Sequence, residues 1–560
     1  MPLEKSREKP LPVALNPNHP IARVRGCSGP IRAANGVALD TSRAAGKMGF
    51  ALTGLGHGYF SAASPPLVQL LLAGLLVRGL LALFLPPGYD EAYYLFYGRH
   101  PNLSYLDHPV GVGIWSLIGN ALGGSIFALR VPSLLSYTAA LALLAAATGR
   151  WFGPKAGLWS VAVGSASPLL FACGGLLLLP DSPLLLVLAA LMWWLSRHPL
   201  VVPTNAREAA GLGLLLGLMS LCKYHSLLVL VALLGWCLGT AERRAALLRP
   251  WPWLGLMVWA GVSSPLWIWN LQHHWASFLF HGGRTLAEHT YNLSGPPLFL
   301  LTQLLLLFPT IGILLWASLG PQERTAANPQ ARQLLRTLAL PILVTFTLLS
   351  GRMQVLSSWL VPAWWFLLPL AGDWLARRPS PWPQGLAWSR IVTLAVLPPL
   401  LSVAALQMRF GVLDQVLPAG VDTSNQLMPA ASLRQALKSN PRVWAALGSA
   451  DLIASRRYEL PGFLALALQQ NSRATYTSFS GDPRSFTYWQ PANGYQGARG
   501  VIFALEDPNH PEDRIEWPKE VGPLTPLGSV QLKRGGRPSV RLQFVGFGPL
   551  AQPLPGPPTP

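Results

Sequence analysis

The chain has 560 residues, of which 51% are hydrophobic and only 12% charged. A soluble domain carries about 25% charged residues, so an ordinary water-soluble fold is excluded and the composition points to the membrane. The formal charge of +19 is not read as a nucleic-acid surface, because the bases fall in an N-terminal tail and in breaks between apolar stretches. Cys27 stands in the basic tail and Cys173, Cys222 and Cys237 in or beside apolar segments, which suggests no disulfide framework.

In chain order, residues 1–62 are polar, rich in Gly and Pro, and basic, with no apolar core after the first charges. This excludes a signal-peptide pattern and predicts a disordered cytoplasmic tail. Residues 63–407 read as a membrane domain. Apolar segments near 66–86, 127–147, 155–172, 183–197, 208–222, 225–240, 251–269, 297–317, 336–350, 358–375 and 389–407 predict about eleven spans. With the tail inside, the inner connections hold Arg150, Lys155, Arg197, Arg207, Arg243, Arg244, Arg249, Arg324, Arg332, Arg336, Arg377, Arg378 and Arg390. The outer ones hold only Arg99, Arg130, Lys223, Arg284 and Arg352, the asymmetry that positive-inside orientation requires. Residues 408–548 mix acids and bases, with strand-like runs "ATYTSF", "GVIFAL" and "SVRLQFVGF" and a helix-like "GFLALALQQ". They predict a small soluble α/β domain outside the membrane, without a visible catalytic motif. Residues 549–560 read as a disordered tail.

The chemistry-bearing residues gather at the outer ends of spans. In "PPGYDEAYYLFYGRHPNLSYLDHPVG" the acids Asp90, Glu91 and Asp107, with His108, stand among Tyr89, Tyr93 and Tyr94. A carboxylate against aromatic and lipid surface can have a raised pKa, which suits a general base, whereas an ordinary loop acid is merely solvated. Asp181 lies alone in "LLLLPDSPLLL", where it is either functional or paired, or else a helix N-cap. Lys223, Arg284 and Arg352 are outer cations able to recognise phosphate, though interfacial snorkelling explains such residues equally well. Arg78, well inside the first span, is either a buried structural partner or part of the same site. His273, His274, His281 and His289 crowd one loop at spacings that fit no standard zinc pattern.

Taken together, "DEAYY", "SYLDHP", "FALRVPSLL", "PDSPLL", "KYHSLL", "WNLQHHWASFLFHGGR" and "WLVPAWWFLLPLA", in this order, resemble the bacterial glycosyltransferase family 39 type proteins. These belong to the GT-C class, with the protein O-mannosyltransferases and the lipid A aminoarabinose transferases. The resemblance covers roughly residues 65–545. It implies a multi-pass protein of the inner or plasma membrane that moves a hexose or pentose, by a single displacement with inversion, from a polyprenyl-phosphate carrier to a lipid, glycan or protein acceptor outside. In that group the first-loop acid is the base, which maps onto Asp90, and the acid of the second outer loop maps onto Asp181. Glu91, Tyr93, Tyr94, Asp107, His108, Lys223, Arg284 and Arg352 are then expected to bind substrate, without a metal or other cofactor. Two departures, Val110 after "DHP" and "SSW" at Ser357–Trp359, bear on acceptor preference. The rival classes are a transporter or lipid flippase, which would place paired charges near the midplane, and a polymerase or ligase using a pyrophosphate-linked donor.

Overall fold

A computed structural model describes residues 64–198, 201–286, 290–320, 328–379, 383–417, 422–469, 473–506, 517–518 and 521–554. The tail 1–62 lies outside the described residues. Helix α1 (Pro65–Phe84) opens with prolines in its first turn and ends ahead of Pro86 and Pro87, since proline has no N–H to lose at a helix start and disfavours helix in the residue before it. α2 (Tyr89–Arg99) begins immediately, and the Glu91 carboxylate accepts from the backbone N–H of Gly88 at 2.9 Å. α3 (Gly111–Ala121) is an 11-residue helix, about 16 Å long and too short to cross a core of ~30 Å. α4 (Ile126–Phe152) is capped by Ser125, whose hydroxyl accepts from the Ala128 N–H at 3.2 Å.

The chain continues through α5 (Pro154–Ala166), α6 (Pro168–Gly175), α7 (Asp181–Leu195), α8 (Ala206–Ser220), α9 (Ser226–Leu238), α10 (Ala241–Leu247) and α11 (Pro250–Gln272). Then come α12 (Ala276–Leu286), α13 (Gly295–Leu306), α14 (Pro309–Ala317), α15 (Pro329–Leu349), α16 (Val361–Ala376) and α17 (Gln384–Phe410). Each of the expected apolar stretches falls on one of these helices or on a bent pair. Five of them, α1, α4, α11, α15 and α17, are each long and apolar enough to cross a membrane. The pairs α5–α6, α9–α10 and α13–α14 pass the same test only together, bent by 83°, 115° and 116°. Pro168 and Pro309 open the second helix of two of these pairs, where the missing N–H breaks the ladder. α7 is a shorter apolar helix. The protein is therefore mostly helical and multi-pass.

The main core gathers α4–α9 and α13–α17, and α16 is buried nearly all round, with Trp364 and Trp365 at 0% exposure. By contrast α1 and α17 expose long apolar faces, Leu72, Leu76 and Leu83 on one and Leu394, Leu400 and Phe410 on the other. That is the pattern of helices at the edge of a bundle in lipid.

After α17, helices α18 (Ala430–Lys438), α19 (Pro441–Ser449) and α20 (Leu460–Leu468) accompany a five-stranded sheet. Its strands are β1 (Leu452–Ser455), β2 (Thr475–Ser478), β3 (Gly500–Glu506), β4 (Leu524–Arg534) and β5 (Arg537–Phe547), in the order β2-β1-β3-β5-β4. β1 pairs parallel with β2 and β3, while β5 pairs antiparallel with β3 and β4. Alternation along the strands makes two cores. Ile453, Val501, Phe503, Leu542 and Phe544 share one with α20 and α2. Leu452, Ile502, Val545 and Phe547 form the other with Leu550 and Leu554. Residues 549–554, expected at the start of a disordered tail, are thus ordered, because two leucines four residues apart find this face of the sheet. Leu554 N–H also donates to the Gly494 carbonyl at 2.8 Å.

The sheet region is locked to the membrane region through α20 and α2. At Gly462 an added Cβ would land on the carbonyl of Ala92, so only glycine permits this approach. Gly462→Ala is expected to cost about 1–3 kcal/mol, the range for overpacking, and to lower the melting temperature. At Gly448, where a Cβ meets nothing within 4 Å, the same exchange in α19 should be neutral or stabilise by about 0.5–1 kcal/mol. Thermal melts of the two variants check the pair.

Candidate active site

Asp90 and Glu91 are adjacent on the first turn of α2, and a helix sends neighbouring side chains about 100° apart. The fold puts them to opposite uses. Glu91 is 1% exposed and Arg130 of α4 is 0% exposed. The guanidinium meets the carboxylate in a fork, Nε to Oε1 at 2.8 Å and Nη2 to Oε2 at 2.6 Å. Arg130 also donates to the carbonyls of Ala82 and Leu85, both at 2.9 Å, and of Pro86 at 2.8 Å. All five of its N–H donors are thereby engaged. Glu91 further accepts from the N–H of Leu178 at 3.0 Å. It was grouped above with the substrate-binding residues; the structure places its carboxylate in a closed knot that ties four segments together.

Asp90 is free. Among the described residues it makes no hydrogen bond or ion pair. Solvent reaches its side chain, although protein atoms crowd around it. Loss of hydration there, together with the charges of Asp107 and Glu459, raises its pKa to about 6, with Arg484 pulling the other way. Asp107 is buried and heavily partnered. It accepts from the hydroxyls of Tyr93, at 3.2 Å, and Tyr97, and pairs with Arg484 at 3.5 Å. The Tyr93 hydroxyl in turn accepts from the Ser485 N–H at 3.0 Å. Tyr94 is buried and packs edge-on against His108, ring centroids 5.5 Å apart. Burial holds the His108 imidazole neutral, its pKa pushed down to about 3, and its Nδ1 lacks a partner.

On the first turn of α7, Asp181 receives both oxygens' hydrogen bonds from the Lys223 ammonium, at 2.8 and 2.9 Å. Both residues are at most 3% exposed. An ammonium has three donors, so one remains. Lys223 and Arg484 both act electrostatically on His108, as does His281. Hence Asp90, Tyr93, Tyr94, Asp107, His108, Asp181 and Lys223 come together at one end of the helices. Arg352 is exposed on the loop after α15, and no interaction links it to this group among the described residues. The side chain of Arg284, like all of His289, lies outside the described residues. Arg78, 0% exposed in α1, donates to Thr138 at 2.9 Å and stacks over Tyr137. Among the described residues no three of His, Cys, Asp and Glu are grouped so as to hold a metal ion.

Sequence reasoning missed Arg484, Tyr458 and Ser485, which reach the site from the C-terminal region. Arg484 also pairs with Asp482 at 2.7 Å and lies over the rings of Tyr458 and Phe280, 4.5 and 4.8 Å from their centroids. Its φ of +53° is left-handed, a strained setting for a residue other than glycine. A recess of ≈520 Å³ opens beside it, lined by His273, His274, Phe280, Asp482, Arg484 and Tyr488 among others. His274, in its lining, and the adjoining Trp275 are left-handed as well, with φ of 51° and 60°. No local motif announces Arg484; only the charge balance around Asp107 requires it.

Residues 107–269 match the model of the family described as dolichyl-phosphate-mannose-protein mannosyltransferase. Two crystal structures of ArnT from Cupriavidus metallidurans are similar over most of both chains. The apo state matches with a TM-score of 0.54 at 15% identity, covering 86% of this chain and 97% of that one. The state bound to undecaprenyl phosphate matches with a TM-score of 0.57 at 15% identity, covering 88% and 100%. The chain shares the ArnT fold. The resemblance to GT-C glycosyltransferases drawn from the sequence is supported by the family model and by this fold. No curated protein matches the chain.

The two neighbouring acids should separate in experiment. Glu91→Gln leaves Arg130 buried without its counter-charge and is expected to destabilise the protein by about 3–5 kcal/mol, read as a lowered melting temperature. For Asp90→Asn the sign is opposite. Above pH about 6 the ionised Asp90 is less favourable in the folded than in the unfolded chain, whose value lies near 3.8. The variant should therefore melt higher than the parent at pH 7.5, and the gain should vanish below pH about 4.

Proposed function

We propose that this protein is a membrane glycosyltransferase that moves a sugar from a polyprenyl-monophosphate carrier to an acceptor on the outer face, with eleven spans and the C-terminal α/β region outside. The observation that carries the reading is Asp90, an unpartnered carboxylate with a raised pKa, in a cluster that also holds the half-buried Arg484 and the buried Lys223. The fold shared with ArnT, crystallised with undecaprenyl phosphate, supports the choice of carrier. The residence of this protein in the inner or plasma membrane belongs to the same proposal.

In the proposed reaction Asp90 takes the proton of an acceptor hydroxyl as its oxygen attacks the anomeric carbon. The bond from that carbon to the carrier phosphate oxygen breaks, with inversion, and the carrier leaves as a phosphate monoester. Negative charge develops on the leaving oxygen. The remaining donor of Lys223 is placed to stabilise it, and Asp181 acts as a positioning residue by fixing the ammonium with two hydrogen bonds. Asp107 holds Arg484 and, through its own charge, keeps Asp90 basic enough to accept a proton. The aromatic wall of Tyr93, Tyr94 and Tyr458 excludes water from one side. The recess beside Arg484 offers the acceptor an approach from outside. No step requires a metal, since the cations supply the charge that the leaving phosphate needs.

Two measurements test this. Purified protein in nanodiscs should turn over a polyprenyl-monophosphate sugar and not its pyrophosphate counterpart; turnover of the pyrophosphate donor alone would move the protein to the polymerase or ligase class. Transfer should rise with pH to a midpoint near 6, where Asp90 ionises, and be lost in Asp90→Asn by about 10²-fold or more. Asp107→Asn removes a like charge, so any residual activity should show a midpoint at lower pH. A midpoint that stays or rises contradicts the assignment of the base.

A further inference from the structure

A second cationic site lies away from these residues, where α17 leaves the bundle. With 27 residues α17 is about 40 Å long, against ~30 Å for a hydrocarbon core and ~40–45 Å with the headgroup layers. On the topology proposed above, its last turn therefore stands at the level of the outer phosphates. That turn carries the β4–β5 hairpin. The Gln407 side-chain amide donates to Asp414 and Asp422, both at 2.7 Å. From the end of β4, Arg534 pairs with both acids and donates to Ser424 at 2.9 Å. The hairpin turn at Gly535, whose φ is +56°, abuts the carbonyl of Phe410, which leaves no room for a Cβ.

This docking sets Lys533 beside Arg409. The two cations, with Phe410, Leu427, Ser432 and Ser539, line a recess of ≈140 Å³. Arg534 at its back is neutralised by its two acids, but neither Arg409 nor Lys533 makes a hydrogen bond or ion pair among the described residues. Arg409 is half-buried. Two unpaired cations lining one small recess make it a place where an anion is favoured. Below Arg409 the face of α17 is apolar and exposed, with Leu406 at 39% and Leu394 at 68%. A charged mouth above an apolar helix face matches one ligand class in both parts.

We propose that this recess binds the phosphate of an anionic outer-leaflet phospholipid, whose acyl chains run along α17, and that the bound lipid clamps the β4–β5 hairpin to the helix end. The experiment reads binding rather than activity, so its result is independent of the transferase reading. The full chain, reconstituted in nanodiscs of phosphatidylcholine with phosphatidylglycerol, is released for native mass spectrometry, and retained lipid is counted. The parent should retain phosphatidylglycerol in preference to phosphatidylcholine. In the Arg409→Ala, Lys533→Ala double variant its retention should fall about tenfold, while Arg442→Ala, at an exposed cation outside the recess, should leave it unchanged. Hydrogen exchange should slow across 528–540 in phosphatidylglycerol relative to phosphatidylcholine discs, in the parent only. Equal retention in parent and double variant, or equal retention of the two lipids, overturns the proposal. Inorganic phosphate that slows the same exchange as well in phosphatidylcholine discs would make it a soluble-phosphate site and overturn the lipid. If the double variant no longer folds, the lipid-dependent exchange difference in the parent still decides.

Discussion

Everything at this end of the molecule depends on one buried guanidinium. The end of α1 would leave carbonyls without partners just where the chain turns sharply through two prolines. Arg130 collects three of them, from Ala82, Leu85 and Pro86, and is itself neutralised by Glu91. Burying a charge is tolerable only when it is paired and its donors are filled, and here both conditions are met. The result is geometric. α1, α2, α4 and the segment before α7 are fixed at a single junction, so the direction in which α2 presents its first turn is not free to vary. A cation counted among the few on the outer side thus has a structural cause, distinct from any interaction with a substrate.

With that junction set, Asp90 can remain unpartnered. A lone carboxylate among aromatic rings would ordinarily draw in a cation or rotate into water. The cation that acts on it, Arg484, is held by Asp107 and Asp482 and stacked over Tyr458 and Phe280. Lys223 is held by Asp181. Each positive group in the cluster is therefore restrained by an acid other than Asp90. With three acids paired to two cations and Asp90 left unpaired, loss of hydration and the like charges of Asp107 and Glu459 raise its proton affinity. The strained backbone at Arg484, with φ of +53°, is consistent with a side chain positioned against local preference.

Much of this was legible in the sequence, and the limits have physical causes. Apolar length and the sidedness of the bases located the helices, because lipid imposes those patterns on each segment separately. Asp90, Asp107, Asp181 and Lys223 were visible as charges too costly to leave without purpose in so apolar a chain. The pairing of Asp181 with Lys223 was not visible, since it joins turns 42 positions apart. Glu91 and Asp90 carry nearly the same chemistry at adjacent positions, and only the partner on α4 tells them apart. Arg352 had the right charge and the right side, but its loop keeps it exposed and apart from the acids. The bends within α5–α6, α9–α10 and α13–α14 were hidden because hydropathy does not register direction.

The C-terminal region shows the same limit most clearly. Its strands read as those of a separate soluble unit, since alternation reports only which faces are buried and not what covers them. What covers one face is α20, and what lies beyond α20 is α2, the helix that carries Asp90. Gly462 permits the contact, and Tyr93 links α2 to the Ser485 backbone at 3.0 Å. Arg484 immediately precedes that serine. The sheet therefore acts on the recess through rigid contacts at both ends of one helix-to-turn path, and a displacement of the sheet would move the counter-charge of Asp107. Because Asp90 feels both Asp107 and Arg484, its proton affinity depends on how firmly that region is seated. The hairpin anchored at the end of α17 belongs to the same sheet, so the membrane surface and the carboxylate are joined by one continuous packed body.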